Sequence, residues 1–244
     1  MQLIKTLLNT LPAEPVPLRK VIVGVNWTAV CSQSCGLAAT LRNEGEHGSH
    51  RIRDVGSLHQ KSAQELAGWL ESDNPLEASL GLAALNSLLP PPAAALLTEI
   101  NAFDLLQQMA AGKTIVMVGH FPQVDKLRQG GARVLVLEKQ PHGSDLPAEA
   151  APDIVPLADI LAITATTLIN HTLEDLLGWR NPKALVMLLG PSTPLTPLLF
   201  DFGVHLLSGT QIVDEAAALL TIQQGAAFPQ VKGTRLVTMS RLPR

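Results

Sequence analysis

The chain of 244 residues is long enough for one large domain or two modest ones, and 46% hydrophobic against 16% charged residues indicates a well-filled core. The net charge of −3 comes without a basic cluster interleaved with aromatic residues, so we expect no nucleic-acid partner. No apolar run approaches the roughly 18 residues of a membrane span, and we expect no membrane partner. Two cysteines make no disulfide framework and residues 1–11 lack a signal pattern, which predicts a reducing, cytoplasmic location.

The amino-terminal part of the chain predicts an N-terminal helix, then strands, then helices. Residues 20–31 suit two short strands or one bent strand, and residues 36–42 suit a third. Helices are predicted from Ser62 to about residue 71 and from Asp73 to Leu88, because both begin with capping residues. Strands followed by helices predict a small α+β unit. The triple proline at residues 90–92 is the strongest breaker, so we predict one domain over residues 1–90 and a second over residues 91–244.

The carboxyl-terminal part alternates between strands and helices. Predicted strands are residues 114–118, 133–138, 159–164, 184–189, 204–207 and 236–239, and predicted helices are residues 101–111, 122–129, 166–177 and 214–224. Because the strands are almost continuously apolar, we expect a parallel sheet covered by helices on both faces. The predicted fold class is therefore α/β, a small α+β domain followed by a Rossmann-like domain.

The first strand-to-helix turn of such a domain is where cofactor chemistry is expected. Here it reads Gly119-His120-Phe121-Pro122, and a single glycine disfavours a plain dinucleotide enzyme. Glu138 ends the second strand, about 20 residues further on, where a Rossmann acid binds a ribose hydroxyl. A nucleoside-like ligand therefore stays open, beside the alternatives that His120 is a loop histidine and Glu138 a solvated strand-end carboxylate.

A proline-rich loop follows the buried strand Leu185–Leu189. In Gly190-Pro191-Ser192-Thr193-Pro194 the prolines restrict the backbone, while Ser192 and Thr193 carry hydroxyls that can bind a ligand. We expect both hydroxyls to face a cleft. The alternative is a turn whose hydroxyls satisfy its own backbone.

Polar residues gather at the carboxyl ends of the predicted parallel strands, which meet at one edge of a sheet. The predicted ligand-binding residues are Gly119, His120, Phe121, Glu138, Thr164, Asn170, Gly190, Pro191, Ser192, Thr193 and Pro194. The predicted helix from Thr166 should point its N-terminus at this edge and favour an anion, with Asn170, Thr172 and Glu174 in its first turns. His171 is expected on the helix surface.

Several segments resemble a prokaryotic family of unknown function that is associated with heavy-metal chelation. They are VGHFPQV, VLVLEKQP, ADILAITATTLINHTLEDLL, VMLLGPSTPLTPLLFDFGVHLLSGTQIVD and, in the first half, WTAV, GLAATL and LEASLGLAALNSL. The resemblance implies an amino-terminal domain like that of enolases, a Rossmann-like domain similar to methyltransferases, and a site in the cleft between them. His171 departs from the family pattern, in which a small residue such as glycine follows Asn170.

Two sets of residues are candidates for binding a metal ion. Cys31 and Cys35, with His47 and His50, offer four soft or borderline ligands, but their spacing is a weak signal. His120 and Glu138 are the better pair, because neighbouring strand ends can converge on one ion. Two ligands would need others from a substrate or from the first domain.

Three hypotheses for function follow. The first is a protein that binds a small-molecule ligand, a divalent or heavy-metal ion, or a metal chelate in an interdomain cleft. The alternative is an enzyme with a methyltransferase-like Rossmann site that acts on a small anionic or nucleoside-like molecule, with Glu138 or His120 moving a proton. The third is an interaction protein with a vestigial cleft. A homo-oligomer is compatible with all three.

Overall fold

The computed structural model describes residues 1–42, 51–98, 101–121 and 123–241, and the strands of these residues form two sheets. The candidate ligands His47 and His50, and Pro122 at the start of a predicted helix, lie outside the described residues. The smaller sheet has three strands in the order β1-β2-β3, and the larger sheet has eight. Among the described residues, no helix is both long and apolar enough to cross a membrane.

The smaller sheet is an antiparallel meander of β1 (Lys20–Val23), β2 (Trp27–Cys31) and β3 (Cys35–Ala39). Three helices accompany it: α1 (Gln2–Asn9), α2 (Ala63–Gly68) and α3 (Pro75–Leu88). A capping box between Ser62 and Glu65 begins α2, and the Asn74 side chain accepts the Leu76 N–H at the start of α3.

The backbone of helix α3 packs very closely against the backbone of β3. A Cβ on Gly36 would stand 2.1 Å from the Ala83 carbonyl oxygen, so only glycine permits this approach. Almost every residue of α3 is buried, because the helix is covered by the small sheet and by α2 as well as by the rest of the chain. The helix therefore forms the centre of the amino-terminal part.

The larger sheet has the order β4-β11-β10-β9-β8-β5-β6-β7. Its strands are β4 (Leu97–Thr98), β5 (Thr114–Val118), β6 (Arg133–Glu138), β7 (Leu146–Pro147), β8 (Ile160–Thr164), β9 (Leu185–Leu189), β10 (Leu206–Ile212) and β11 (Thr234–Ser240). The helices between them are α4 (Ala102–Met109), α5 (Val124–Gln129), α6 (Ala151–Ile154), α7 (Leu173–Trp179), α8 (Leu198–Asp201) and α9 (Glu215–Gln223). All pairs from β7 to β10 are parallel, whereas β11 is antiparallel to both of its neighbours.

The order of the central strands creates a switch point. From β5 the chain moves outward to β6 on one side, and it later returns to place β8 on the other side of β5. In open α/β sheets, ligands bind in the crevice beyond the carboxyl ends of the strands where the order reverses. The segments that follow Val118 and Thr164 therefore define the place to search for a site.

One hydrophobic cluster runs through both parts of the chain. It contains Leu66 and Leu85 from the amino-terminal helices as well as Leu161 and Leu188 from the larger sheet, all fully buried. The two sheets are separate, yet the apolar surface between them is continuous. The division into domains at residue 90 stays a prediction.

The predicted α/β fold class is confirmed, and two central strands, β5 and β6, have the predicted bounds. One predicted helix is wrong. Residues 166–177 are not continuous, because a short 3₁₀ helix over Ala165–Leu168 ends before His171, which has a φ of +63°, and α7 begins only at Leu173. The side-chain oxygen Oδ1 of Asn170 accepts hydrogen bonds from the Thr172 N–H and hydroxyl, and these bonds stabilise the break.

Candidate functional site

A pocket of about 460 Å³ opens at the switch point between β5 and β8. Its volume is that of a site for a small organic molecule. It is lined by Leu41, Arg42, Pro75, Val118, Gly119, His120, Phe121, Leu137, Glu138, Lys139, Ala148, Ala151, Thr164, Thr166, Thr167, Asn170, Thr172, Asp175, Leu176 and Trp179. The pocket brings together the predicted residues Gly119, His120, Phe121, Glu138, Thr164 and Asn170. It does not include residues 190–194.

Gly119 turns the chain out of β5 into the pocket. Its φ is +94°, a conformation that residues with a side chain rarely adopt, and a Cβ there would lie 3.0 Å from the Thr164 Cγ2 atom. The Gly119 N–H donates to the Leu137 carbonyl, which holds the turn to β6. The single glycine of this turn therefore serves the tight exit from the strand.

Glu138 is bound to the backbone of the same turn. Its Oε2 accepts the His120 N–H at 3.0 Å, and its Oε1 accepts the Lys139 N–H at 2.8 Å. Each oxygen keeps a further lone pair, so the carboxylate can still accept from a ligand hydroxyl or bind a cation. Glu138 and His120 thus line one pocket, but the carboxylate contact is to the backbone of His120.

The imidazole of His120 is oriented by a buried carboxylate. Its Nδ1 lies 3.1 Å from Oδ2 of Asp145, whose side chain is only 3% exposed, whereas the His120 side chain is 53% exposed. An ionised carboxylate can only accept, so in the neutral imidazole Nδ1 carries the proton and Nε2 presents a lone pair. The His142 N–H also donates to Asp145 Oδ2. This arrangement leaves His120 able to bind a metal ion or accept a proton.

Thr164 and Asn170 shape the opposite wall of the pocket. The Thr164 hydroxyl lies 3.1 Å from that of Thr166 and accepts the Thr166 N–H, so it caps the 3₁₀ helix that leaves β8. The Asn170 side-chain oxygen is already bonded to Thr172. The turn after β8 is a 3₁₀ helix of four residues and α7 begins only at Leu173, so the anion site at the N-terminus of one helix from Thr166 stays a prediction.

Four charged or aromatic residues of the pocket were not predicted. Arg42 comes from the amino-terminal part, Lys139 follows β6, and Asp175 and Trp179 lie on α7. Asp145, which orients His120, also escaped prediction. Arg42, Lys139 and Asp145 lie in loops, Asp175 and Trp179 lie on a helix, and no motif or spacing marks any of them. The pocket combines two basic side chains, two carboxylates and several apolar surfaces.

The proline-rich loop differs from its prediction. The Ser192 hydroxyl accepts the Ala39 N–H of β3 at 2.8 Å, and the Thr193 hydroxyl donates to the Gly190 carbonyl at 2.7 Å. The loop therefore joins the larger sheet to the smaller one, and Ser192, Thr193 and Pro194 are buried there. Neither hydroxyl is presented to the pocket, because both bind the backbone of the protein itself.

Glu174 is also placed away from the pocket. Its carboxylate accepts the Leu3 N–H at the start of α1 and lies 3.0 Å from the amino terminus. Burial opposes ionisation of Glu174, but the hydrogen bonds from Leu3, the amino terminus and Gln2 outweigh it and lower its pKa. This side chain fastens α1 to α7. It does not join the ligand site.

The two cysteines are joined, although the sequence predicts a reducing compartment. Cys31 and Cys35 are directly opposite each other in the β2–β3 hairpin and form a disulfide. The hairpin brings them together because three residues, 32–34, connect the two strands. Spacing alone did not show that they face each other across a ladder.

Both parts of the chain match models of known protein families. Residues 101–240 match the DUF364 family model and residues 4–89 match the DUF4213 model, and each is described as "Putative heavy-metal chelation". An uncharacterized protein of Methanocaldococcus jannaschii is 28% identical over 208 residues, which cover 82% of this chain and 79% of that protein.

Two solved structures share the fold over nearly the full length. A DUF364 protein of unknown function from Desulfitobacterium hafniense has a TM-score of 0.86 and 26% identity, and covers 98% of both chains. A DUF364 protein of unknown function from Pyrococcus horikoshii has a TM-score of 0.82 and 22% identity, also covering 98% of both. None of these names includes an activity, so the comparisons do not support the enzyme alternative. The two family matches and the shared fold show that this chain belongs to the DUF364 family.

Proposed function

We propose that the chain binds a metal ion as a complex with a small organic chelator, in the pocket at the switch point. Both family descriptions point to heavy-metal chelation. The observation that carries the proposal is the His120–Asp145 pair, since a ligating histidine almost always donates its other ring N–H to a carboxylate or carbonyl. Asp145 thus prepares Nε2 of His120 to be a metal ligand.

The size and composition of the pocket favour a chelate over a bare ion. A volume of about 460 Å³ suits an organic molecule, whereas an ion alone needs several protein donors converging within a few ångströms. Among the described pocket residues, His120 is the one imidazole, and Glu138 already accepts two backbone N–H groups. An organic chelator would supply the donors that the pocket lacks.

The remaining lining matches a flat anionic chelator. Trp179, Phe121 and Leu137 offer apolar surface for a ring, while the side chains of Arg42 and Lys139 can pair with its carboxylates. His120 would then bind the metal at a position that the chelator leaves open. Glu138, the second predicted metal ligand, would accept from the chelator or complete the coordination.

Calorimetric titration tests the proposal with the 1:1 zinc complex of pyridine dicarboxylate, in which a planar dianionic chelator leaves open coordination positions on the metal. We expect the preformed complex to bind more tightly than free Zn²⁺, and His120→Ala to weaken its binding at least about tenfold. His59→Ala is the matched control, because His59 is exposed in a separate 3₁₀ helix over Leu58–Gln60. Equal affinities for the complex and the free ion, or an unchanged His120→Ala variant, would contradict the proposal.

A further inference from the structure

A second group of metal-ligating side chains shares no residue with the lining of the pocket described above. Cys31 and Cys35 face each other in the β2–β3 hairpin, and Glu215, the first residue of α9, lies beside them. One ligand atom from each of these three residues lies within 4.8 Å of the others. Among the described residues, this is the group of three histidine, cysteine or acidic side chains whose ligand atoms are close enough to share one metal ion.

We propose that Cys31, Cys35 and Glu215 form a site for a soft divalent metal ion, such as Zn²⁺ or Cd²⁺, that opens when the disulfide is reduced. Thiolates are the preferred ligands of such ions, and a carboxylate completes many of their sites. A disulfide offers no thiolate. The oxidised protein is therefore closed to the metal and the reduced protein is open to it.

The positions of the ligand atoms suit tetrahedral coordination. With metal–sulfur distances of about 2.3 Å, two sulfurs on one tetrahedral ion stand about 3.8 Å apart. Breaking the disulfide lets the sulfurs move to this separation by side-chain rotation. The carboxylate of Glu215 lies within 4.8 Å of both sulfurs, so small side-chain movements bring the three ligand atoms onto one ion.

Arg19 holds Glu215 in place beside the sulfurs. Its Nη1 and Nη2 each donate to one carboxylate oxygen at 2.6 Å, and its Nε donates to the Ser32 carbonyl of the hairpin turn. A ligating carboxylate usually accepts such an outer hydrogen bond, and its second lone pairs stay available.

A cavity gives access to the cluster from one side. Cys35 lines a cavity of about 250 Å³ together with Asn86, Pro90 and Gln211, whereas Cys31 is fully buried. Three protein ligands and an adjoining cavity leave a fourth position for water or a small ligand. The cavity is also the route by which a small thiol can reach Cys35.

Opening the site requires a two-electron reductant of disulfides, and a small dithiol is one such reductant. Its thiolate attacks the Cys35 sulfur and forms a mixed disulfide, the Cys31 sulfur leaves with the electron pair, and the second thiol of the reductant releases Cys35. Two electrons pass to the protein, and the reductant becomes a disulfide. Binding of M²⁺ to the two protein thiols then releases two protons.

Anaerobic titration with Cd²⁺ tests the site, because cadmium thiolates give an ultraviolet charge-transfer band. The full chain is reduced with a phosphine, freed of the reductant and compared with the oxidised chain. We expect one equivalent of Cd²⁺ with the thiolate band in the reduced protein and no band in the oxidised protein. The oxidised sample has the same sequence and fold, so it is the first control.

Variants separate the roles of the three ligands. Cys35→Ser should remove the band, and Glu215→Gln should keep it but weaken binding by about tenfold or more, the loss that even an outer partner causes. Arg19→Ala breaks the same ion pair but keeps all three ligands, and should bind more tightly than Glu215→Gln. A reduced protein without the band, or a Cys35→Ser variant that retains it, would overturn the proposal. His120→Ala should bind Cd²⁺ at the cysteine site as the parent does. A negative result at the cysteine site would therefore leave the proposal for the His120 pocket standing, and the reverse also holds.

Discussion

The Nε2 atom of His171 lies 2.7 Å from the carbonyl oxygen of Leu70 and donates to it across the junction of the two parts of the chain. His171 has a φ of +63°, where glycine is the ordinary residue. The protein accepts a strained backbone at this position, and its imidazole satisfies a carbonyl of a fully buried residue.

Replacing His171 should separate the hydrogen bond from the backbone strain. His171→Ala keeps the left-handed backbone and loses the bond, so we expect a loss of about 1–3 kcal/mol in the free energy of unfolding. His171→Gly loses the same bond but relieves about 1 kcal/mol of strain, and should be the more stable of the two variants. Urea denaturation measures both. If the two variants unfold at the same urea concentration, the strain argument is wrong.

Ser192 should contribute to stability rather than to recognition. Ser192→Ala leaves the Ala39 N–H without its partner in the junction between the sheets, which should lower the free energy of unfolding by about 1–3 kcal/mol. Thermal denaturation measures this loss. The affinity for zinc pyridine dicarboxylate should equal that of the parent, and a weaker affinity at unchanged stability would restore the predicted ligand role. Ser57→Ala is the control, because the half-buried Ser57 hydroxyl donates only to the Asp54 carbonyl within its own loop.

The sequence allowed good prediction of the strands and poor prediction of loop partners. The bounds of β5 and β6 follow from short, continuously apolar runs that end at glycine or at charged residues. By contrast, Ser192 bonds to a residue 153 positions earlier, and nothing local distinguishes that partner from a ligand. The predicted helix over residues 166–177 failed for a related reason, since the bonds of Asn170 to Thr172 override a helical pattern.

The candidate site could be predicted where it follows from sheet topology. Gly119, His120, Glu138 and Thr164 follow parallel strands, and the carboxyl ends of such strands must share one edge. Asp145 and Arg42 could not be found in this way, because their positions depend on how a loop and the other part of the chain pack against that edge. Topology indicates the place of the site, but not its whole lining.

His205 should make stability depend on pH. Burial, together with the positive charge of Arg180, lowers its pKa below the ordinary 6.5, and its Nδ1 accepts the Val186 N–H at 3.0 Å. The unfolded chain therefore binds the proton more readily. The stabilisation is complete above pH 6.5 and is lost as the pH falls below 6.5 through the lowered pKa of the folded state.

A variant that cannot titrate tests this dependence. In His205→Asn the side-chain oxygen can still accept the Val186 N–H, so its melting temperature should fall less between about pH 7 and pH 5. His59→Asn, at an exposed position, should keep the parent slope. Parallel melting curves for the parent and His205→Asn would show that His205 is not responsible.

Asp145 should raise the affinity of His120 for the metal complex without contacting the metal itself. Asp145→Ala removes the partner of His120 Nδ1, and we expect the affinity for zinc pyridine dicarboxylate to fall about 10- to 100-fold. Asp145→Asn keeps an acceptor and should lose less. The exposed Asp153→Ala is the control, and melting curves of all three variants check the fold. An affinity unaffected by Asp145→Ala would show that Asp145 does not prepare His120 for metal binding.

The hydrophobic cluster that unites the two sheets has a consequence for how the chain holds together. If the backbone were opened at residues 90–92, each fragment would expose an apolar face that the intact protein buries, including Leu85 on one side and Leu188 on the other. The fragments would then behave as an obligate heterodimer, and their stability would rise with their concentration. In the intact chain the three prolines link the two parts covalently, so their association does not depend on protein concentration.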